Sequence, residues 1–302
     1  MSQDPKSKLS SSGQDFTKTI HHDTYDFIKP EQWDLKGKAV LVTGASKGVG
    51  RAAAISFAKA GASYIALGAR SSLSETERAV QDEAKQAGRQ PPTVLSLTLD
   101  VASESSVAQA AKDLEASFGR LDILCNNAGY LENFAKVAES DPTDWWRVYE
   151  INVKGVYLCA RAFIPLLLKS KDGLKTVLNT SSVGAHVVMP GASGYQTGKL
   201  AVVRFGEFLM AEYGEQGLLS YAIHPGGVAT ELALGMPKDY HALLGDKPEL
   251  AGDAMVWLTG ERREWLGGRF VDVTWDMEEF LGKKGRVVEG GLLKVRLDVG
   301  LE

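Results

Sequence analysis

The sequence predicts an α/β fold: one domain built on a doubly wound parallel sheet of about seven strands, with helices on both faces. Three observations carry that expectation. Apolar runs of strand length alternate with longer stretches of helical period from residue 38 to residue 271. The polar, glycine-rich stretches fall just after the apolar runs, where the strands of such a sheet end and ligands bind. No internal repeat and no second apolar core interrupts the pattern.

The elements follow in chain order. Lys38-Ala39-Val40-Leu41-Val42-Thr43 is a short, valine-rich strand. Gly44-Ala45-Ser46-Lys47-Gly48-Val49-Gly50 follows at once, and then an alanine-rich helix over residues 51–60, stopped by Gly61. Strand, glycine turn and helix in that order form a phosphate-binding context. Glycines let the backbone approach a pyrophosphate, and the amides at the helix start point at it. A second strand over residues 63–69 ends in Ala69, Arg70 and Ser71. An acidic residue here would favour NAD; Arg70, with Lys47 in the glycine loop, suits the 2′-phosphate of NADP(H).

A helix over residues 74–87 and a strand over 93–99, closed by Asp100-Val101, come next. Ser103 caps a helix running to Phe118. The strand at residues 121–125 leads into Asn126-Asn127-Ala128-Gly129, and one continuous helix is expected from Pro142 to about Leu168. Asn152 is polar within that strongly apolar stretch and should have a specific hydrogen-bonding task. A fifth strand, 176–180, runs into Ser181-Ser182-Val183-Gly184; a helix to Tyr213 then carries Tyr195 and Lys199. Four residues apart on one helix, these two side chains share a face, and the ammonium is expected to lower the phenol's pKa. The sixth strand, 219–224, ends in Pro225-Gly226-Gly227-Val228-Ala229-Thr230, and Leu266 to Val271 fits a last strand.

Composition narrows the function classes. With 34 Lys and Arg against 38 Asp and Glu the net charge is −4, and no basic block is present, so nucleic acid is not an expected partner. No window reaches the roughly 20 uninterrupted apolar residues of a membrane span. The N-terminus lacks the apolar stretch of a secretory signal, and Cys125 and Cys159 sit in apolar surroundings that suit buried thiols in a reducing compartment. A cytoplasmic protein is expected. His21-His22 has no third ligand at a useful spacing, so no metal is expected. Residues 1–36 read as a polar N-terminal extension, its first half a mobile tail. Tyr25 to Pro30, with Trp33, carries enough apolar surface to pack on a neighbouring domain or subunit. Residues 37–275 form the catalytic domain and 276–302 a C-terminal extension.

Taken in order, these motifs resemble the short-chain dehydrogenase/reductase family, over roughly residues 36–274. The resemblance rests on Thr43-Gly44 through Gly48-Val49-Gly50, Asp100, Asn126-Asn127-Ala128-Gly129, Asn152, Ser182, Tyr195 with Lys199, and Pro225-Gly226 through Thr230. The three-residue gap between Tyr195 and Lys199 resembles the branch that acts on carbonyls and alcohols. The resemblance implies a Rossmann-type fold, NADP(H) as cofactor, and a catalytic set of Asn152, Ser182, Tyr195 and Lys199. In it Tyr195 gives a proton to a carbonyl or takes one from an alcohol. Lys199 holds the nicotinamide ribose and lowers the tyrosine's pKa. Ser182, thirteen residues before Tyr195, polarises the substrate oxygen, and Asn152 holds a water of a proton relay. It further implies cofactor binding by Gly44, Ser46, Lys47, Gly48, Val49, Gly50, Arg70, Asp100, Val101, Asn126, Asn127, Ala128, Gly129, Tyr195, Lys199, Pro225, Gly226, Val228 and Thr230.

Residues 231–250 occupy the family's lid. Leu232, Leu234, Met236, Leu243 and Leu244 make it apolar, which suits a bulky, largely hydrophobic carbonyl substrate. At the end of the last strand the family's usual Asp-Gly-Gly is replaced by Val273-Thr274-Trp275-Asp276. This C-terminal part is similar to fungal secondary-metabolism reductases. A homo-oligomer, dimer or tetramer, is expected through helix faces within residues 145–168 and 200–213. Two other readings stand beside simple reduction: reduction coupled to cyclisation or epimerisation, and a dinucleotide-binding regulator without catalysis.

Overall fold

The computed structural model describes residues 13–297. Strand β1 (Ala39–Thr43) is followed by helix α1 (Gly48–Lys59), β2 (Tyr64–Ala69), α2 (Ser74–Gln86) and β3 (Thr93–Thr98). Next come α3 (Glu104–Phe118), β4 (Ile123–Asn126), α4 (Pro142–Tyr149) and α5 (Gly155–Lys169). The chain continues through β5 (Thr176–Thr180), α6 (Ser193–Tyr213), β6 (Leu219–His224), α7 (Pro248–Thr259) and β7 (Arg269–Asp272). Two short helices, α8 (Met277–Gly282) and α9 (Lys284–Glu289), close the described chain.

The seven strands form one sheet in the order β3-β2-β1-β4-β5-β6-β7, every pair parallel. Such a sheet needs both faces covered, and β1 shows how the sequence meets that need. All five of its residues are buried. Val40 and Val42 pack with Phe57 of α1, Val80 of α2 and Met255 of α7, whereas Leu41 faces Leu114 of α3, Cys159 of α5 and Leu209 of α6. The period-2 alternation of a strand thus feeds two apolar layers at once. The strand order reverses between β1 and β4, which opens a crevice at their C-terminal ends. Thr43 stitches that point: its hydroxyl oxygen accepts from the amides of Asn127 and Ala128, each at 3.0 Å.

Three features depart from the sequence expectations. The helix expected from Pro142 to about Leu168 is interrupted by a π-helical turn, Glu150–Lys154, between α4 and α5. This run is long and apolar enough to cross a membrane by length and composition, but 61% of its most apolar window is packed inside the fold. It is a core element here.

The N-terminal extension packs on the chain's own domain. Ile28 is fully buried, and Tyr25, Phe27 and Trp33 lie against the layer built by α1 and α7. Thr24 Oγ1 donates to Asp253 of α7 at 2.5 Å. Of the expected mobile tail, residues 1–12 lie outside the described residues, and so do residues 298–302 of the C-terminal extension.

The third departure explains why the usual strand ending is absent. Trp275 is buried, its indole Nε1 donates to Gly13 O at 3.0 Å, and it pairs with Ile20 in an antiparallel bridge. Phe16 and Phe280 pack on its ring. The Trp275-Asp276 sequence therefore holds the N-terminal segment against the end of β7, with His21 Nε2 on Asp276 at 2.8 Å.

Candidate active site

Tyr195 is the third residue of α6, and Lys199 lies one turn further along. Ala192, the residue before the helix, offers no side-chain cap. The first turn is satisfied from elsewhere: Tyr195 N donates to both carboxylate oxygens of Glu132, at 3.0 and 3.1 Å. Glu132 itself is only 4% exposed.

The two serines at the end of β5 separate by role. Ser181 is buried and donates to Lys199 O at 2.8 Å. Ser182 Oγ accepts from Gly184 N at 3.0 Å and faces the Tyr195 hydroxyl closely enough to draw its pKa down.

Burial outweighs that pull. The Tyr195 phenol is pushed up to about 12, first by desolvation and then by the negative charge of Glu132. The expected lowering by Lys199 is not realised in this geometry. The ammonium donates to Thr180 O at 2.7 Å and lies 5.4 Å from the Tyr195 ring centre. Lys199 is 4% exposed, and desolvation pulls its own pKa down to about 8.

Asn152 lies in the π-helical turn. Its amide closes a two-way bond with one backbone unit, accepting from Tyr130 N and donating to Tyr130 O, both at 2.8 Å. The side chain thereby holds the loop after β4 against the helix, with one N–H and one lone pair of the amide left over. π-turns of this kind concentrate at functional sites because they re-aim a side chain without ending a helix.

Two cavities meet at Tyr195, which lines both. The first, about 790 Å³, runs along the strand ends. It is lined by Gly44, Ser46, Lys47, Gly48 and Val49, by Ala69, Arg70 and Ser71, by Asp100 and Val101, and by Asn127 to Gly129. Lys199, Pro225, Val228 and Thr230 complete it. Its glycine turn has no room for side chains. Gly44 has φ +67°, and a Cβ there would stand 2.9 Å from Ala128 Cα; one on Gly48, at φ +56°, would stand 2.9 Å from Thr230 Cγ2. Helix α1 opens with no side-chain cap, so its first amides are free to meet an anion. These residues fit a dinucleotide.

Three of the residues assigned to cofactor binding lie off this wall. Asn126 is buried and donates to Asn179 Oδ1 at 2.9 Å across the sheet. Gly50 sits where a Cβ would collide with Gly44 O, so it allows the turn to close on α1. Gly226 lines the neighbouring cavity.

That second cavity, about 670 Å³, is mainly apolar. Leu131, Phe134, Val187, Met189, Leu232, Met236, Leu243 and Leu244 line it, with Ser182 on its wall and Tyr195 at the junction. Of the expected lid residues Leu232, Met236, Leu243 and Leu244 face it, whereas Leu234 is exposed and off the wall, and His241 turns to Met236 O at 2.9 Å. One wall was not legible in the motifs: Gln14, Asp15, Ile20 and His22 of the N-terminal segment, with Thr274. His22 Nδ1 meets Asp246 Oδ1 at 2.5 Å, and Asp246 in turn accepts from Gly227 N at 2.5 Å. Sequence reasoning also missed Glu132 and Thr180. For Glu132 a signal existed, an acidic residue set between the apolar Leu131 and Phe134. A carbonyl partner such as Thr180 leaves none.

Comparison with known proteins gives the family. The short chain dehydrogenase family profile matches residues 38–240. The chain is 53% identical to the short chain dehydrogenase mpl6 of Monascus purpureus over 287 residues, covering 95% of this chain and 98% of that protein. It is 46% identical to the short chain dehydrogenase pigC of Monascus ruber, covering 93% of each. Among solved structures, it resembles a 3-ketoacyl-(acyl-carrier-protein) reductase from Brucella melitensis complexed with NADH. That match has a TM-score of 0.70 and 28% identity, covering 80% of this chain and 98% of the other. The chain belongs to the short-chain dehydrogenase family, and within it is similar to fungal members.

Proposed function

We propose that the protein is an NADP(H)-dependent reductase of a bulky, largely apolar ketone or aldehyde. The observation that carries this reading is the position of Tyr195 at the junction of the two cavities, where a substrate carbonyl and the nicotinamide end of a dinucleotide would meet. The cofactor supplies the hydride. The chain's residues orient the carbonyl and deliver the proton. The Ser182 hydroxyl and the Tyr195 phenol converge on one oxygen, and Tyr195, held protonated by burial, gives its proton to it. Lys199 borders the cofactor cavity as a buried cation and hydrogen-bonds what lies there.

The preference for NADP(H) is supported by Arg70 and Ser71 at the end of β2, with Lys47 across the cavity mouth. Lys47 pairs with Glu231, but both side chains are well exposed, and such a pair yields readily to a phosphate. The apolar lining and size of the second cavity support a bulky hydrophobic substrate. The fungal relatives support a place in secondary metabolism. Self-association is supported by large apolar side chains exposed on α4, α5 and α6, Trp146, Tyr157 and Phe208.

A screen of aryl and alkyl ketones by NADPH consumption tests the reading, with Tyr195→Phe as control. The variant should keep NADPH affinity within about twofold and lose roughly 10²–10⁴ in turnover. Undiminished turnover would overturn the assignment.

A further inference from the structure

We propose that Glu132 is a positioning residue of the reaction: it anchors the first turn of α6 and thereby sets where the Tyr195 hydroxyl stands between the two cavities. The inference rests on the reading of Tyr195 as the proton donor. Helix α6 begins with Ala192 in the capping position, which has no side chain to satisfy the first free amides. Glu132, sixty-one residues upstream of Ser193 in the loop after β4, supplies that function, with both oxygens on the amide of the catalytic tyrosine itself. A charged cap on a helix start is favoured by the helix dipole and by charge-assisted hydrogen bonding.

The anchor is rigid at both ends. Tyr130, two residues before Glu132, is clamped by Asn152 through both its amide and its carbonyl. Asp144 of α4 accepts from the Tyr130 hydroxyl at 2.5 Å and from Asn133 N at 2.8 Å. Gly194 completes the fit: a Cβ there would stand 3.0 Å from Glu132 Oε1 and 3.1 Å from the Trp145 ring, so only glycine lets the carboxylate reach the next amide unhindered. Asn152 thus acts on Tyr195 through a chain of contacts, Asn152 to Tyr130 to Glu132 to Tyr195.

The charge has a second consequence. Glu132 raises the energy of a Tyr195 phenolate and so keeps the phenol in its proton-donating form. The other titratable and charged groups around this pair are Lys199 on α6, Asp144 and Arg147 on α4, and Tyr130, over whose ring Arg147 lies. Tyrosinate absorbance reads Tyr195 deprotonation directly, apart from the earlier titration of Lys199. Removing the negative charge should bring that absorbance in at lower pH.

The test compares wild type with Glu132→Gln, which keeps the shape and removes the charge, and with Glu132→Ala, which removes both. The aryl ketone turned over fastest in the NADPH-consumption screen is the probe, with hydrogen exchange of the segment 192–199 measured in parallel. Expected are a fall in kcat of about threefold or more for Gln and tenfold or more for Ala, NADPH affinity within twofold of wild type, and faster exchange at the start of α6. The tyrosinate absorbance of Tyr195, taken for each protein as the difference from its Tyr195→Phe counterpart, should appear at lower pH in both variants than in wild type. A merely structural cap would lower stability and leave that onset in place. If Glu132→Ala does not fold, Gly194→Ala presses on the same carboxylate from the helix side and should lower kcat about threefold. Wild-type kcat, tyrosinate onset and exchange in Glu132→Gln together with wild-type kcat in Gly194→Ala would overturn the role of Glu132. Full activity of Tyr195→Phe would instead overturn the reading on which it rests.

Discussion

Lys199 Nζ donates to the carbonyl of Thr180 at 2.7 Å and leaves the Tyr195 hydroxyl to Ser182. The two residues that sequence spacing places side by side are therefore joined through the cavity they share, and each keeps its own environment. A buried ammonium with one carbonyl partner has hydrogen-bonding capacity left for a group in the cofactor cavity.

The first prediction concerns protonation of Tyr195. Its pKa in the folded protein, about 12, exceeds the unfolded value of 10.0, so the fold disfavours the phenolate. The sign follows from linkage: between those values the native state binds more protons than the unfolded one, and stability falls as pH climbs above 10. An ultraviolet difference titration of the cofactor-free protein against Tyr195→Phe should show no tyrosinate signal between pH 7 and 10. A step near neutrality would contradict the geometry.

Lys199 should behave in the opposite sense. Its folded pKa of about 8 lies below 10.5, so the protein bears an ionisation cost that is full below pH 8 and relieved as pH rises toward 10.5. Lys199→Met should abolish turnover yet be more stable than wild type by roughly 1–3 kcal/mol at pH 7. Denaturant unfolding should show that difference shrinking from pH 8 upward.

Cofactor choice is predicted to rest on Arg70. Replacing it by Asp should weaken NADPH by about tenfold or more, the loss of a charge-assisted contact plus repulsion of the 2′-phosphate, and should favour NADH. Dissociation constants for the two cofactors, measured by fluorescence, check this directly.

Gly155, the first residue of α5, presses on the cofactor cavity from behind. A Cβ there would stand 2.8 Å from Val101 Cγ2, and Val101 lines the cavity. Gly155→Ala should cost about 1–3 kcal/mol of stability by overpacking and should also weaken NADPH binding. Thermal unfolding and NADPH titration of the one variant would show both effects; a loss of stability alone would sever the link to Val101.

The fold was legible because its signals are local. Buried parallel strands read as continuous apolar runs such as residues 39–43, and Gly44 to Gly50 marks the turn where a side chain would collide. Tyr195, Ser182 and much of the wall of the first cavity, from Gly44 to Val49 and from Asn127 to Gly129, came from motifs with fixed spacing for the same reason. What stayed hidden depends on contacts between distant segments. Glu132 meets Tyr195 across 63 positions, Trp275 meets Gly13 across 262, and the π-helical turn at Glu150–Lys154 is set by where Asn152 must reach. Lys199 was misjudged in effect, because helix spacing says that two side chains share a face but not that burial outweighs their mutual charge.

The wall built by Gln14, Asp15, Ile20 and His22 rests on contacts separate from those that hold the sheet. Strand register is set by the parallel ladders that run from β3 to β7, each strand bonded to its neighbours. The outer boundary of the substrate space is drawn by a segment tied down through Trp275, Asp276 and Asp246, beyond or beside that lattice. Substitutions there should reshape what the cavity admits without shifting a strand. Building the sheet and bounding the second cavity are thus tasks carried in part by segments far apart in sequence.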